Sequence, residues 1–461
     1  MPFEGEYAHY RPLKRIVENE QVQRLLARSH RIEPNSIPST PLNTVSLLDL
    51  QPTENGIDFV LAIDGSMHEE PVDNGYPSAA VGYVTVASVL LDVAKMKVLD
   101  AKRPIDPKEF RTLEDAESID GALPGSNVVI DDELDAVHSF RRALFEIFRS
   151  KQVSESGESI LNTYEILLRL KPTSVNPQAC PYKDCLRTDK SYSVGLAEYQ
   201  CNCPNARSLF STDALRIHEF MNPEGSNQAM LTETMSVLER VWVIHFLRTL
   251  EREKLLPVLQ RLAIVVDGPL AVFGAPAWLS SAIKIELARI NNAAKKAIGD
   301  NNFDLLMFGV EKTGAFMEHL TNIDKGPKGE GNALPNQSAF LLTDDYIKQR
   351  IRFSNSERMY GRNTYFGRKA FYKTASGALI VINSPFLNED HSDLKCAEVS
   401  QFPRIADTMK LLDTLVSARY RNSVTPLISA HAEAAIPLNL GRRVLEKLAQ
   451  QLMSQTSMRK P

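Results

Sequence analysis

No apolar run in these 461 residues approaches the roughly 18 needed to cross a bilayer, and the N-terminus shows no charged-then-apolar signal pattern. Cysteine is scarce: five in all, four of them between residues 180 and 203, which is not the scatter of a disulfide framework. Basic residues are not in excess either. Lys and Arg number 53 against 57 Asp and Glu, a formal charge of −4, so no global field draws the chain to a polyanion or an anionic membrane. Any such contact must be local. No low-complexity tract or fixed-period repeat is visible. Together these absences exclude a membrane-spanning or disulfide-stapled protein and lead us to expect a cytoplasmic one. What remains is globular in composition, 43% hydrophobic and 24% charged, and too long for one ordinary core.

Two short apolar runs stand out because each ends in the same dipeptide. Phe59-Val60-Leu61-Ala62-Ile63 precedes Asp64-Gly65-Ser66, and Leu262-Ala263-Ile264-Val265-Val266 precedes Asp267-Gly268-Pro269-Leu270. Continuous apolar runs of this length read as buried strands, and a carboxylate at a strand end is held rigidly where solvent and substrate reach it. One Asp-Gly alone reads as the opening of a turn. Its repetition after two similar strands points instead to an oxygen-ligand site for Mg²⁺ or Mn²⁺.

Residues 1–50 read as an arm, with a helix over Pro12 to Arg31 and a linker over Glu33 to Pro41. Residues 51–100 carry three strand-like runs, Phe59 to Ile63, Ala79 to Leu90 and Ala94 to Leu99, whose short connections predict an antiparallel meander. Residues 101–225 read as a large insertion: a charged, turn-rich stretch over 100–130, helices over Asp131 to Arg149 and Glu158 to Leu170, then the cysteine segment. The core resumes over 226–440. It opens with a long helix from Asn227 to Leu255 that leads into the second Asp strand. A helix over Ala277 to Ala297, a strand over Leu305 to Val310, a strand pair around Tyr365 to Ile382 and helices from Arg404 follow. Residues 441–461 are expected to form a C-terminal helix. Meander, long helix, Asp-tipped strand, helix, strand is the element order of an α/β, RNase H-like fold: a mixed sheet with flanking helices. Such folds bind at the carboxyl ends of their strands, where both aspartates are expected.

An RNase H-like nuclease needs more than two aspartates, because two metals roughly 4 Å apart must hold the attacking water and the leaving oxygen. A third carboxylate is expected near the start of the helix before the second Asp strand, the active-site end of such a fold. Glu233 and Glu239 both qualify; six residues apart, they lie on different helix faces, Glu233 nearer the helix start and Glu239 in an apolar context. Lys312, just past the third strand, can meet a phosphate or orient a nucleophile. His431, in an otherwise small and apolar helix, reads alone as a core histidine, but beside carboxylates it can move protons at a reacting oxygen. Between Gly361 and Lys373, basic residues and aromatics alternate with glycines on an expected hairpin. Arg362, Tyr365, Arg368, Lys369 and Lys373 make the best nucleic-acid track in an acidic chain, with an ordinary amphipathic strand pair as the plainer reading.

The cysteines fall as two close pairs, Cys180 with Cys185 and Cys201 with Cys203, fifteen residues apart. Four thiolates in two knuckles suit a closed tetrahedral, structural Zn²⁺ site. An iron-sulfur cluster is the minority alternative, and His218 can replace one cysteine. Cys396 stands alone as a small buried residue.

The chain resembles the NurA-domain nucleases, DNA-end nucleases of bacteria and archaea that work with a HerA-type hexameric ATPase. The resemblance lies in Ile63-Asp64-Gly65-Ser66, Val266-Asp267-Gly268-Pro269-Leu270, the segment Gly309-Val310-Glu311-Lys312-Thr313-Gly314 and the helix carrying His431, and it covers residues from about 50 to 100 and about 226 to 440. It implies an RNase H-like fold, a homodimer and Mn²⁺- or Mg²⁺-dependent cleavage of single- and double-stranded DNA. Carried over, Asp64, Asp267 and either Glu233 or Glu239 are metal ligands and His431 is the active-site histidine. The long insertion and the cysteine cluster depart from the compact family pattern. Larger bacterial relatives beside HerA-like ATPases, some in phage defence, are what such an elaborated chain suggests.

Two other classes compete. A zinc-bearing, non-catalytic scaffold of a DNA-processing assembly would keep the fold and the cysteines without needing carboxylates at both strands. A phosphotransferase of the actin and sugar-kinase type also places Asp-Gly at strand ends, but it needs a second glycine-rich phosphate loop that Gly268-Pro269 does not provide.

Overall fold

The computed structural model describes residues 11–29, 43–53, 56–93, 114–150, 157–172, 178–186, 191–192, 194–326, 329–416 and 424–435. Nine strands form one mixed sheet: β1 (Asn43–Ser46), β2 (Phe59–Pro71), β3 (Ala80–Asp92), β4 (Glu114–Pro124), β9 (Leu262–Asp267), β10 (Met307–Glu311), β11 (Ser338–Leu341), β12 (Gly367–Lys373) and β13 (Leu379–Pro385). Their spatial order is β1-β11-β12-β13-β10-β9-β2-β3-β4. β2, β9 and β10 are parallel neighbours, and the remaining pairings are antiparallel. The block β4-β3-β2-β9-β10, a meander joined to parallel strands, is the RNase H-like core.

Strand alternation sorts the apolar residues onto two faces. Leu61, Ile63, Leu262, Ile264 and Val266 face the core shared with α3 (Ala136–Ser150), α4 (Ile160–Arg169), α5 (Gln228–Arg252) and α6 (Leu279–Ile298). Val60, Ala62, Ala263 and Val265 face the opposite core, closed by α9 (Ile405–Leu415) and α10 (Thr425–Ala434). Both faces of β2 and β9 are therefore buried, which is why their sequences are apolar without a break. At the far end of the sheet α7 (Ala315–Lys325) and α8 (Asp344–Arg350) cover Phe340, Phe371 and Val381.

Three features differ from the sequence reading. The meander closes with β4, in the stretch read as charged turns, and the strand expected over Ala94 to Leu99 lies outside the described residues. β4 reads Glu114-Asp115-Ala116-Glu117-Ser118-Ile119-Asp120-Gly121-Ala122-Leu123-Pro124. It is an edge strand, and edges tolerate and favour charge, so only Ile119 and Leu123 carry its apolar signal. Second, part of the segment read as an arm, β1, pairs with β11 at the opposite edge. Third, the expected single N-terminal helix is two, α1 (Arg11–Glu18) and α2 (Glu20–Arg28), broken at Asn19, whose side chain caps the second. The linker Glu33 to Pro41 and the helix expected over 441–461 lie outside the described residues. Among the described residues no helix is long and apolar enough to cross a membrane.

Candidate active site

Register brings the two aspartates together. β2 and β9 pair in parallel from Phe59 with Leu262 to Ile63 with Val266, so the next residues on each strand are Asp64 and Asp267. By alternation both carboxylates leave the sheet on the α10 side. The strands then part company. β2 runs on to Pro71, with Asp64 opposite Ala87, so Asp64-Gly65 opens no turn. β9 ends at Asp267, and Gly268 turns the chain with φ of 75°, its N–H donating to the Val310 carbonyl over 2.8 Å.

Helix α5 approaches from the other face. An added Cβ on Gly65 would lie 2.5 Å from Glu239 Oε1 and 2.7 Å from Met235 Cγ, so the missing side chain is the gap that lets Glu239 pack against β2 next to Asp64. The two Asp-Gly pairs thus need glycine for different reasons, one for clearance and one for a turn. Arg240 fixes this approach. Its Nη1 lies 3.2 Å from Glu239 Oε2, and its Nη2 donates to the carbonyls of Asp267 (3.2 Å) and Pro269 (3.0 Å), tying α5 to the loop beyond β9. Neither Gly65 as a clearance nor Arg240 as a tie was legible in the sequence; the one available signal was a charged pair inside the apolar run Val237 to Trp242.

A lysine and a histidine complete the cluster. Lys312 Nζ sits 2.7 Å from Asp267 Oδ1. His431 Nδ1 lies 3.1 Å from Asp64 Oδ2, while its own side chain is 63% exposed, so α10 offers a histidine with one end on the carboxylate and the rest in solvent. Asp64 Oδ1 accepts the Gly65 N–H over 2.8 Å.

The electrostatics are those of concentrated negative charge removed from water. Burial, then the Asp267 charge, raises Asp64 to about 6 against the opposing pull of Lys312, His431 and the Gly65 N–H. Burial pushes Glu239 up to about 8, with Arg240 opposing and both aspartates adding to the rise. Carboxylates held together at this cost are a donor set of hard oxygens that fits a divalent cation. Glu233 is not part of it. It lies against Gly274, and burial alone raises its pKa, so of the two helix glutamates only Glu239 feels the charge of the aspartates.

The expected nucleic-acid track is mostly interior. β12 is buried along its length between β11 and β13. Lys373 Nζ is held by Asp324 (2.7 Å), Asn332 and the Leu334 carbonyl; Lys369 pairs with Glu311; Arg368 donates to the carbonyls of His391, Asp393 and Cys396. Tyr365 is buried as well, and of the five residues only Arg362 is exposed. Alternating basic and aromatic residues resemble a surface pattern, but charges can face inward when each head finds carboxylates or carbonyls.

The cysteine segment folds as two small hairpins, β5 (Gln178–Ala179) with β6 (Ser191–Tyr192) and β7 (Glu198–Gln200) with β8 (Ser208–Phe210). Sγ atoms of Cys180, Cys185 and Cys201 lie within 4.8 Å of one another. Cys203 joins them through contacts with Cys201 and Cys185, while His218 stays outside, near Asp213 and Arg141. Clustered soft donors on two hairpins fit a thiophilic cation such as Zn²⁺. Cys396 is only partly buried, its Sγ 3.5 Å from Gln401 Oε1.

Fold and site together define an RNase H-like α/β protein with an acidic cluster assembled from two parallel strands and one helix. The family model of the NurA domain matches residues 59–436, and the chain belongs to that family. Among solved structures it is similar to the NurA nuclease from Sulfolobus solfataricus (10% identity, 98% of this chain and 100% of that one, TM-score 0.39). It is also similar to another NurA crystal structure (11%, 96% and 98%, 0.28) and to NurA with manganese (12%, 95% and 95%, 0.22). No curated protein matches.

Proposed function

We propose that this chain is a metal-dependent deoxyribonuclease. The observation that carries the reading is that Asp64 and Asp267 follow the last paired residues of two parallel strands and both raise the pKa of Glu239, which packs against Gly65, with Lys312 and His431 contacting the aspartates. It is consistent with the NurA family, in which one solved protein is a nuclease and another was solved with manganese. The three carboxylates would hold Mn²⁺ or Mg²⁺, which when bound supplies Lewis acidity and lowers the pKa of a water. Lys312 positions a phosphodiester oxygen by charge, and Asp267 in turn fixes Lys312. His431, anchored on Asp64 and open to solvent, holds or moves a proton at an oxygen of the reacting phosphate. Gly65 and Arg240 position Glu239 and touch no substrate.

DNA as substrate, action at strand ends, work with a HerA-type hexameric ATPase, a homodimer and a cytoplasmic role in repair or phage defence are the setting we assign from family membership. A structural Zn²⁺ on Cys180, Cys185, Cys201 and Cys203 belongs to the same proposal. The test is cleavage of labelled linear and circular DNA with Mn²⁺, Mg²⁺ or EDTA, beside the double variant Asp64→Ala, Asp267→Ala. Metal-dependent cutting lost in a variant that stays folded is the expected result, and protection of the circle shows that ends are required. Cutting that persists in the double variant would sink the assignment. Absence of cutting with every metal and with the ATPase added would leave a scaffold.

A further inference from the structure

A cavity of about 340 Å³ opens at the start of β12, and four of the five residues of the expected nucleic-acid track line it: Arg362, Tyr365, Arg368 and Lys369. None of Asp64, Glu239, Asp267, Lys312 and His431 lines it, but hydrogen bonds connect its lining strand to the elements that carry them. Phe366 N–H donates to the Leu270 carbonyl (2.9 Å), Tyr365 bridges to Ala271 just past Asp267, and Lys369 pairs with Glu311, the neighbour of Lys312.

Its chemistry is one-sided. Lys284, Arg362, Arg368 and Lys369 line the cavity and no acidic residue does. Of these, only Lys369 is ion-paired among the described residues. Arg368 is 1% exposed, hydrogen-bonded to neutral carbonyls, and keeps a buried Nε with no partner. Lys284 donates only to the Arg362 carbonyl (3.2 Å) and lies 5.2 Å from the Phe386 ring centre. The Arg368 head is spent on those carbonyls and on the Phe402 ring, which leaves Lys284 and Arg362 without a carboxylate, and a phosphate matches such a pair. The remaining wall is aromatic: Tyr360 and Tyr365, ring centres 5.5 Å apart, and Phe386. Aromatic faces accept nucleobases whatever their sequence. The volume sits at the low end of ligand sites, roughly 300–1,000 Å³, enough for one nucleotide and too small for a duplex.

We propose that this cavity is a subsite for the phosphorylated terminal nucleotide of a DNA strand, with Lys284 and Arg362 meeting the phosphate and the tyrosine pair meeting the base. The strand-end part rests on the nuclease reading; the affinity for a nucleotide does not.

The test is equilibrium binding to the full chain in EDTA, which keeps the acidic cluster silent, using dAMP, inorganic phosphate and deoxyadenosine as separate probes. dAMP is expected to bind at least tenfold tighter than either half, and the double variant Lys284→Ala, Arg362→Ala to lose at least tenfold for dAMP while keeping the wild-type melting temperature. Equal binding of dAMP and phosphate, or a folded double variant that binds dAMP unchanged, overturns the subsite. Oligonucleotides with a terminal phosphate are expected to bind tighter than the same strands ending in hydroxyl. Equal affinity there, with dAMP still bound, assigns the cavity to free nucleotides and overturns the strand-end part. A chain that cuts no DNA yet binds dAMP through Lys284 and Arg362 refutes the nuclease and leaves the nucleotide site. A chain that cuts but does not bind dAMP does the reverse.

Discussion

Glu239 Oε1 occupies space 2.5 Å from where a Cβ of Gly65 would stand, so a glycine in one strand decides whether a helix can deliver its carboxylate to the next layer. Gly65→Ala tests this. Glu239 is fully buried and Met235 Cγ stands 2.7 Å from the same point, so neither neighbour yields freely. Overpacking of this kind costs about 1–3 kcal/mol. We expect a melting temperature lower by several degrees and metal-dependent cleavage reduced more than about tenfold. Full activity in Gly65→Ala would separate Glu239 from the chemistry.

The raised carboxylates make the metal-free protein sensitive to base. Glu239 is raised from an ordinary 4.5 to about 8, so its folded-state proton stabilises below about pH 4.5 and that stability is lost as pH rises through about 8. Asp64, raised from 3.8 to about 6, adds a loss of the same sign at lower pH. Denaturant unfolding of the metal-free protein between pH 5 and pH 8.5 is therefore expected to show a decline relative to Glu239→Gln, on the order of a few kcal/mol. Added Mn²⁺ should restore most at the alkaline end, where the ligands are already deprotonated. A Glu239→Gln variant with the same pH slope as the wild type would contradict the assignment.

How much of this was legible in the sequence follows from what each signal depends on. Asp64 and Asp267 could be read because strands buried on both faces are apolar without interruption, and a charge ending such a run is conspicuous. Choosing between Glu233 and Glu239 could not be done, because the choice depends on which side of α5 meets β2 and on a gap at Gly65 that only packing reveals. β4 was hidden because an edge strand bearing Glu114, Asp115, Glu117 and Asp120 carries two buried apolar residues. Arg368, Lys369 and Lys373 were misplaced on a surface because residue type records a charge but not its counter-charge, here carbonyls, Glu311 and Asp324.

The cysteine module should be separable from the acidic cluster. Its hairpins pack around Tyr182, Cys185, Cys201, Cys203 and Leu209, a cluster distinct from the two sheet cores. Metal analysis of purified protein is expected to give about one Zn²⁺ per chain, lost in the double variant Cys185→Ser, Cys201→Ser. That variant should become protease-sensitive between residues 178 and 210, because a closed thiolate site contributes folding energy directly. Zinc retained in the double variant would place the ion elsewhere.

Lys312 and His431 flank the same two aspartates but should fail in different ways. Lys312 lowers the Asp64 pKa, so Lys312→Ala lets that carboxyl rise further above about 6 and moves the midpoint of Mn²⁺ binding to higher pH. Lys312→Arg keeps the charge and should leave the midpoint near its wild-type value, which isolates charge from shape. His431 touches the cluster through one 3.1 Å contact and is 63% exposed, so His431→Ala should change stability by less than about 1 kcal/mol. If it handles a proton at the reacting phosphate, kcat should nevertheless fall roughly 10²–10⁴-fold while Mn²⁺ affinity stays within a few-fold. A kcat unchanged in His431→Ala would reduce the histidine to a surface neighbour of Asp64 and leave Lys312 as the only side chain here to face the substrate.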